Sequence, residues 1–357
     1  MAKAMDSVLA KGKFRGSMLG SLIGDCMGAP YEGEEFSHGL KTMVRKYFDK
    51  LDGPYFSAPF KPYTDDTAMT KSVAKCLIEK PTPLDVKYLA KLFVQEYFLE
   101  PRRGYGAGVV EVFKKLRKNK FEDLQRPAAE QFNGSGSYGN GGAMRVAPIG
   151  LFFNGNYEAM IEAAERCTRI THTNSLGVNG ALLQCIAVHQ SFQLDPKEKL
   201  DVTKFADELI AKMEIIEQDQ SGIVDPNEPT PPYKEQLLKV KELLSCDDPN
   251  DPIVEEEVIG SLGNSIAALN SVPTAIYCFL RAHSEIPGIE TDNAFRRSIQ
   301  FAVNLAGDCD TIASMTGAIS GAYFGDSCIG ETMKKHCEYH EEVTQLADKL
   351  YEASLIK

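Results

Sequence analysis

FRGSMLGSLIGDCMGAP, residues 14–30, sets Gly16, Gly20, Gly24 and Gly28 four positions apart. That period stacks them along one face of a helix. Each interior glycine costs about 1 kcal/mol relative to alanine, so several in succession need compensation. A groove without side chains offers it by letting another helix backbone pack closely. TGAISGAY, residues 316–323, repeats the device with Gly317 and Gly321. The two segments are expected to form a tightly packed central pair; the alternative is that each makes separate small-residue contacts.

Working outward, apolar spacing is helical almost throughout. Met69, Val73, Cys76 and Leu77 recur at intervals of three and four, as do Ile312, Met315 and Ile319. Further helices are expected near 84–98, 107–119, 157–170, 176–193, 201–216, 233–245, 255–269, 273–282, 293–305 and 339–353. Strand alternation and hairpin signals are scarce, which predicts an all-α fold. DQSGIVDPNEPTPPY (219–233) and CDDPNDP (246–252) are proline- and acid-rich and read as surface loops. Neither is a linker between two cores, and no internal repeat occurs. Residues 1–357 are expected to form one compact domain.

Hydrophobic content of 43% is that of a globular protein, and no apolar run approaches the roughly 20 residues that span a bilayer. A net charge of −11 argues against non-specific nucleic-acid binding, which needs a cationic surface. Nine cysteines without a C-x-x-C pair fit a reducing compartment, where most serve as small core residues. Lys3, Lys11, Lys13 and Arg15 outweigh Asp6 near the start, a cationic bias without the Arg- and Ser-rich body of an import leader.

Two acidic motifs stand far apart in the chain. YTDDTAMTKSVAK (63–75) places Thr64, Asp65 and Asp66 at one helix start, and NLAGDCDTIASMTGAISGA (304–322) places Asp308, Asp310 and Thr311 at another. N-capping explains one acid per helix. It does not explain two acids within three residues at both starts, whose repulsion calls for a positive charge between them. Carboxylate and hydroxyl oxygens are hard ligands suited to Mg²⁺, Mn²⁺ or Ca²⁺. Four aspartates would balance two divalent ions. Spacing alone leaves both the binuclear site and plain capping with salt bridges open. Cys309 lies between two of these residues and is expected to face away.

Two glycine-rich stretches suggest an anionic ligand. FNGSGSYGNGGAMR (132–145) strings unencumbered amides ahead of a helix, an arrangement that receives phosphate, and RRGYGAGVVEVF (102–113) is a shorter version. Neither is a P-loop or a dinucleotide fingerprint. Phe132 and Tyr138 could flank a nucleobase. His172, in ITHTNSLG (170–177), could bond a ligand, although a lone histidine is more often structural. His336 and His340 have i, i+4 spacing without a third ligand, so a solvated helix face is expected. Glu32, in GAPYEGEEF (28–36), follows the glycine-striped helix, with Glu34 and Glu35 equally available.

The set GDCMGAPYE, YTDDTAM, GNGGAMRV, THTNSLG and GDCDTIASMTGAI resembles the ADP-ribosylglycohydrolase family in order and spacing. RGYGAGVVEVF, QFNGSGSYGNGGAMR and SVPTAIYCFLR are more similar to its ADP-ribosylhydrolase 3 branch than to its ADP-ribosylarginine hydrolases. The likeness runs from about residue 14 to 353.

This resemblance implies an orthogonal all-α bundle with two Mg²⁺ ions at its centre, held by Thr64, Asp65, Asp66, Asp308, Asp310 and Thr311, with Mn²⁺ as a substitute. It implies Glu32 as the catalytic residue on a mobile loop. Phe132, Gly136, Ser137, Tyr138, Asn140, His172 and Ile266 are implied to hold ADP-ribose. Two departures are Pro30 before Tyr31, and Cys309 where the family often has threonine.

The implied reaction is hydrolysis at the anomeric carbon of ADP-ribose linked to serine, in poly(ADP-ribose) and in O-acetyl-ADP-ribose. ADP-ribosylated proteins are the implied partners, ADP-ribose the product, and a monomer of cytoplasm, nucleus and mitochondrial matrix, acting in the DNA damage response, the setting. Hydrolysis at ADP-ribosyl-arginine, a non-catalytic ADP-ribose-binding protein and a scaffold with merely capping acids remain alternatives.

Overall fold

The structure, a computed structural model, describes residues 6–80, 83–218, 231–246 and 253–356. Lys3 and most of the two acidic loops, 219–233 and 246–252, lie outside the described residues. Within them the fold is all-α, as the spacing predicts. Helices and short 3₁₀ turns follow one another, and β-pairing among the described residues is limited to three isolated bridges, Lys61 with Cys337, Gly139 with Ala267 and Ile286 with Ile289. No helix among the described residues is long and apolar enough to cross a membrane.

The glycine faces form the expected central pair. Helix Ser7–Gly28 packs along helix Cys309–Phe324, with Gly16 against Gly321, Gly20 against Gly317, Gly24 against Ala313 and Gly28 against Asp310. A Cβ on any of these four early glycines would collide with the partner backbone. Ser17 Oγ donates to Ala318 O at 2.8 Å and Ser21 Oγ lies 2.9 Å from Ser314 Oγ, so the small polar residues of the seam satisfy one another across it. The descending register makes the pair antiparallel. Its consequence is positional: the end of the first helix, which leads to Glu32, meets the start of the late helix, which carries Asp310 and Thr311.

Most expected helices appear within a few residues of their spans. One does not: the helix expected over 255–269 stops at Leu262, because Gly263 turns to φ +87° and the chain continues irregularly to a 3₁₀ turn at Ala268–Asn270. Helix His38–Leu51 was not anticipated, although Leu40, Val44, Phe48 and Leu51 bury one face of it. His336 also departs from expectation. It caps the short helix Glu331–Lys335, is buried, and bonds Tyr47 Oη through Nδ1 and Phe56 O through Nε2, both at 2.9 Å. His340 begins a different helix, His340–Ser354, so the two share no face.

Seven of the nine cysteines are buried and all nine are free. Cys309 Sγ reaches Gly28 O at 3.6 Å, turned into the helix seam rather than toward the acids beside it.

Candidate active site

Asp65 and Asp66 open helix Asp65–Glu79, but neither caps it. Thr64 is the N-cap, its Oγ1 accepting from Asp66 N at 3.4 Å. Asp308 stands at the N-cap of the late helix and makes no capping bond there. Its Oδ2 accepts instead from Asn140 Nδ2 at 2.5 Å. Capping therefore does not account for the paired acids.

The helix seam brings the two motifs together. Thr311 Oγ1 donates to Asp66 Oδ2 at 3.1 Å, and Thr64 Oγ1 lies 3.5 Å from the same oxygen. Glu32 joins through the single 3₁₀ turn Ala29–Tyr31. Gly33 N then donates to Gly307 O at 2.8 Å and Gly307 N to Glu34 O at 3.1 Å. Both glycines have positive φ, +76° and +62°, where a side chain would be strained. This latch ties the Glu32 segment to the residue before Asp308. One carboxylate oxygen from each of Glu32, Asp308 and Asp310 lies within 4.8 Å of the others.

Burial dominates the electrostatics. It pushes the Asp310 carboxyl up to about 9, with the charges of Asp308 and Glu32 adding to it, and Asp65 up to about 8, with Asp25 adding. Asp66 is raised well above the carboxylate range for the same reason, and Asp308 to about 6, where the Asn140 bond opposes the rise. Asp66 Oδ1 and Asp310 Oδ1 are buried with no hydrogen-bond partner. Among the described residues no lysine or arginine pairs with any of the four aspartates. An oxygen-only donor set with orphaned buried oxygens fits a hard divalent cation, which would supply the missing positive charge.

These acids line a cleft of about 280 Å³. Glu32, Asp65, Asp66, Asp308, Asp310 and Thr311 line it together with Phe132, Ser137, Asn140, His172 and Ile266. Thr64, Gly136 and Tyr138 adjoin it without lining it. Gly136, at φ +72°, packs against Thr173 and Asn174 behind the loop, where a Cβ would collide. The break after Leu262 now has a reason: Asn140 N donates to Ile266 O at 2.9 Å and Ala268 N to Tyr138 O at 3.0 Å, which lays Ile266 beside the glycine loop.

Phe132 and Tyr138 are half exposed with ring centroids 5.7 Å apart, and Phe132 and Asn133 hold left-handed backbone, at φ +48° and +56°. Such strain in residues bearing side chains is characteristic of ligand clamps. Gly104, Gly106 and Gly108 of the shorter glycine stretch line the same cleft.

The sequence profile of the ADP-ribosylglycohydrolase family matches residues 6–355. The chain belongs to this family. It is a glycosidase-type hydrolase, an ADP-ribosylglycohydrolase. It is 43% identical to "ADP-ribosylhydrolase ARH3" of Mus musculus over 352 residues, covering 95% of this chain and 91% of the relative. For the Homo sapiens protein of that name the identity is 41% over 349 residues, covering 95% and 93%. For that of Danio rerio it is 38% over 358 residues, covering 98% and 93%. Among solved structures, an "ADP-ribosylglycohydrolase-related protein complex" superposes with a TM-score of 0.61 at 19% identity, covering 97% of this chain and 99% of that one, a likeness of fold.

Two residues of this ADP-ribosylglycohydrolase escaped the sequence reading. Asp25, fully buried near the end of the first helix, accepts from Thr64 N at 3.0 Å, Thr67 N at 3.1 Å and Thr67 Oγ1 at 2.6 Å. It thereby holds the turn that presents Asp65 and Asp66. A signal was available: Gly24-Asp25-Cys26 repeats Gly307-Asp308-Cys309. Arg145, also fully buried, donates to Gly141 O, Cys167 O and Thr171 Oγ1 behind the glycine loop. Nothing in its local sequence marks it as buried.

Proposed function

We propose that this ADP-ribosylglycohydrolase, acting as one domain over residues 1–357, removes ADP-ribose from serine residues of modified proteins. On the same reading it degrades poly(ADP-ribose) and cleaves O-acetyl-ADP-ribose, each time hydrolysing the O-glycosidic bond at the anomeric carbon. The observation that carries the reading is the gathering of Glu32, Asp308 and Asp310 within 4.8 Å in a cleft whose lining includes the exposed Phe132. The name ADP-ribosylhydrolase, borne by relatives 38–43% identical, supports it.

Thr64, Asp65, Asp66, Asp308, Asp310 and Thr311 would hold two Mg²⁺ ions, with Mn²⁺ as a substitute. When bound, the ions supply Lewis acidity toward the substrate oxygens and a lowered pKa for water.

The chain's own groups do the rest. Glu32 is exposed, whereas Asp66, Asp308 and Asp310 are buried, so it is open to substrate and solvent. It acts as general acid toward the leaving oxygen or as base in the water step of a reaction that passes through an oxocarbenium-like state. Phe132 and Tyr138 flank the adenine, Ile266 packs on the adenosine, the loop Gly136, Ser137, Tyr138 and Asn140 receives the remainder of ADP-ribose, and His172 faces the diphosphate. Asn140 also serves the acids, since its amide donates to Asp308 Oδ2 and favours the ionised carboxylate. The setting on this reading is a monomer of cytoplasm, nucleus and mitochondrial matrix that answers DNA damage and binds no nucleic acid directly.

The test is a pair of ADP-ribosylated peptides, one serine-linked and one arginine-linked, assayed for free ADP-ribose. Release from the serine peptide alone is expected. Release from the arginine peptide alone would replace the reading by an ADP-ribosylarginine hydrolase.

A further inference from the structure

We infer that Arg145, acting through Thr171, fixes the tautomer of His172, so that its Nε2 carries the proton and faces the cleft as a permanent donor. The inference rests on the proposed placement of His172 against the diphosphate.

The argument is a count of protons along a buried chain. Arg145 Nη2 lies 2.8 Å from Thr171 Oγ1, and a guanidinium can only donate. The threonine oxygen accepts that bond and keeps one proton of its own. Its other partner, His172 Nδ1, is 2.7 Å away. If Nδ1 carried a proton, Thr171 Oγ1 would accept twice and its own hydrogen would need a third acceptor. Among the described residues Thr171 Oγ1 has only these two partners, and Thr171 is fully buried, out of contact with bulk solvent. The arrangement that satisfies every proton runs from Arg145 to Thr171 to an unprotonated Nδ1. A neutral imidazole must then bear its proton on Nε2.

The surroundings hold the relay in place. Gln131 Nε2 donates to Thr171 O at 2.7 Å, and Thr171 N and His172 N both donate to Thr168 O. Arg145 is anchored on Gly141 O and Cys167 O and stacks on Phe93, its guanidinium carbon 4.8 Å from the ring centroid. Gly139 and Gly141 clear the space in front of the imidazole: a Cβ at Gly139 would stand 3.4 Å from Nε2, and one at Gly141 3.1 Å. Among the described residues Nε2 has no partner, so its donor is free for an anionic oxygen in the cleft. Burial, with the Arg145 charge adding to it, lowers the pKa of the ring and keeps it neutral. Arg145 and Thr171 are positioning residues on this account, and neither needs to touch the ligand.

The experiment uses the whole protein with ¹⁵N-labelled histidine, the His172 signals being those lost in His172→Ala. A protonated Nε2 and an unprotonated Nδ1 are expected in the wild type. Thr171→Val removes the relay; it should mix the tautomers and weaken ADP-ribose binding roughly tenfold, the scale of one hydrogen bond to a charged group. Thr171→Ser keeps the hydroxyl and should restore both. A wild-type proton on Nδ1 overturns the inference, as does a Thr171→Val protein with unchanged tautomer and affinity. If His172→Ala bound ADP-ribose as tightly as the wild type, the placement of His172 against the ligand would fail instead.

Discussion

The Asp25 carboxylate accepts the Thr67 hydroxyl at 2.6 Å and the Thr67 amide at 3.1 Å, and in doing so links the glycine-striped helix to the turn that bears Asp65 and Asp66. Asp25 is buried, and its own pKa is raised to about 6 by that burial despite these bonds. Asp25→Ala would leave the Thr64 and Thr67 amides without their partner, at a cost of about 3 kcal/mol, and would loosen the candidate metal site. A lowered urea midpoint together with a Mn²⁺ affinity reduced about tenfold or more is the expected result. A variant as stable as the wild type would show that the turn holds itself.

The roles proposed for the acids and for Glu32 are separable. Asp310→Ala is expected to lose Mn²⁺ binding and turnover together, because an unpartnered buried oxygen of the cluster disappears. Glu32→Gln should keep metal and ADP-ribose binding while turnover falls by roughly 10²- to 10⁴-fold, the range of a general acid or base. Calorimetry with Mn²⁺ and with ADP-ribose, run beside the turnover assay, separates the two outcomes. Undiminished turnover in Glu32→Gln would remove that residue from the chemistry.

The glycine positions of the helix seam tolerate no side chain. Gly20→Ala would drive a Cβ into the Gly317 carbonyl and against the Phe295 ring, and overpacking of this kind costs about 3 kcal/mol or more. Gly155→Ala meets nothing within 4 Å and serves as the control. Thermal melts of the two should differ widely, with Gly155→Ala within a degree or two of the wild type.

Much of this architecture was legible in the chain, and the exceptions share a cause. Spacings of three and four are set within a helix, so the all-α class could be read locally. The four-residue glycine period could be read too, because only close backbone approach justifies its cost. The Thr64-Asp65-Asp66 and Asp308-Asp310-Thr311 pairs stood out for the same reason, as acids beyond what capping needs. Arg145 and His336 were not legible, since their partners, Thr171 and Tyr47, lie far along the chain, and Asp25, bonded to the distant Thr67, was marked only by the repeated Gly-Asp-Cys. The break at Gly263 was missed because the pairing that draws Ile266 to Asn140 is long-range. Helix His38–Leu51 is different: its buried stripe at Leu40, Val44, Phe48 and Leu51 was there to be counted.

Metal-free protein should lose stability as pH rises. Asp65 and Asp310 sit at about 8 and about 9 in the fold against an ordinary 3.8. A carboxyl whose folded pKa is raised stabilises the fold fully below the unfolded value, and that contribution is lost as pH rises through the folded value. In EDTA the melting temperature should therefore fall by on the order of 5 °C between about pH 6 and about pH 9. Mg²⁺ should reverse the fall, since the cation binds the ionised form. A flat profile in EDTA would contradict the burial of these acids.

On the proposed reading the gathered acids hold the divalent ions on which hydrolysis depends. The most direct measurement is ADP-ribose release from a serine-ADP-ribosylated peptide by protein stripped with EDTA and then titrated with Mg²⁺. Release absent after stripping and restored at two ions per chain is the predicted result; release that continues undiminished in the stripped protein would contradict it.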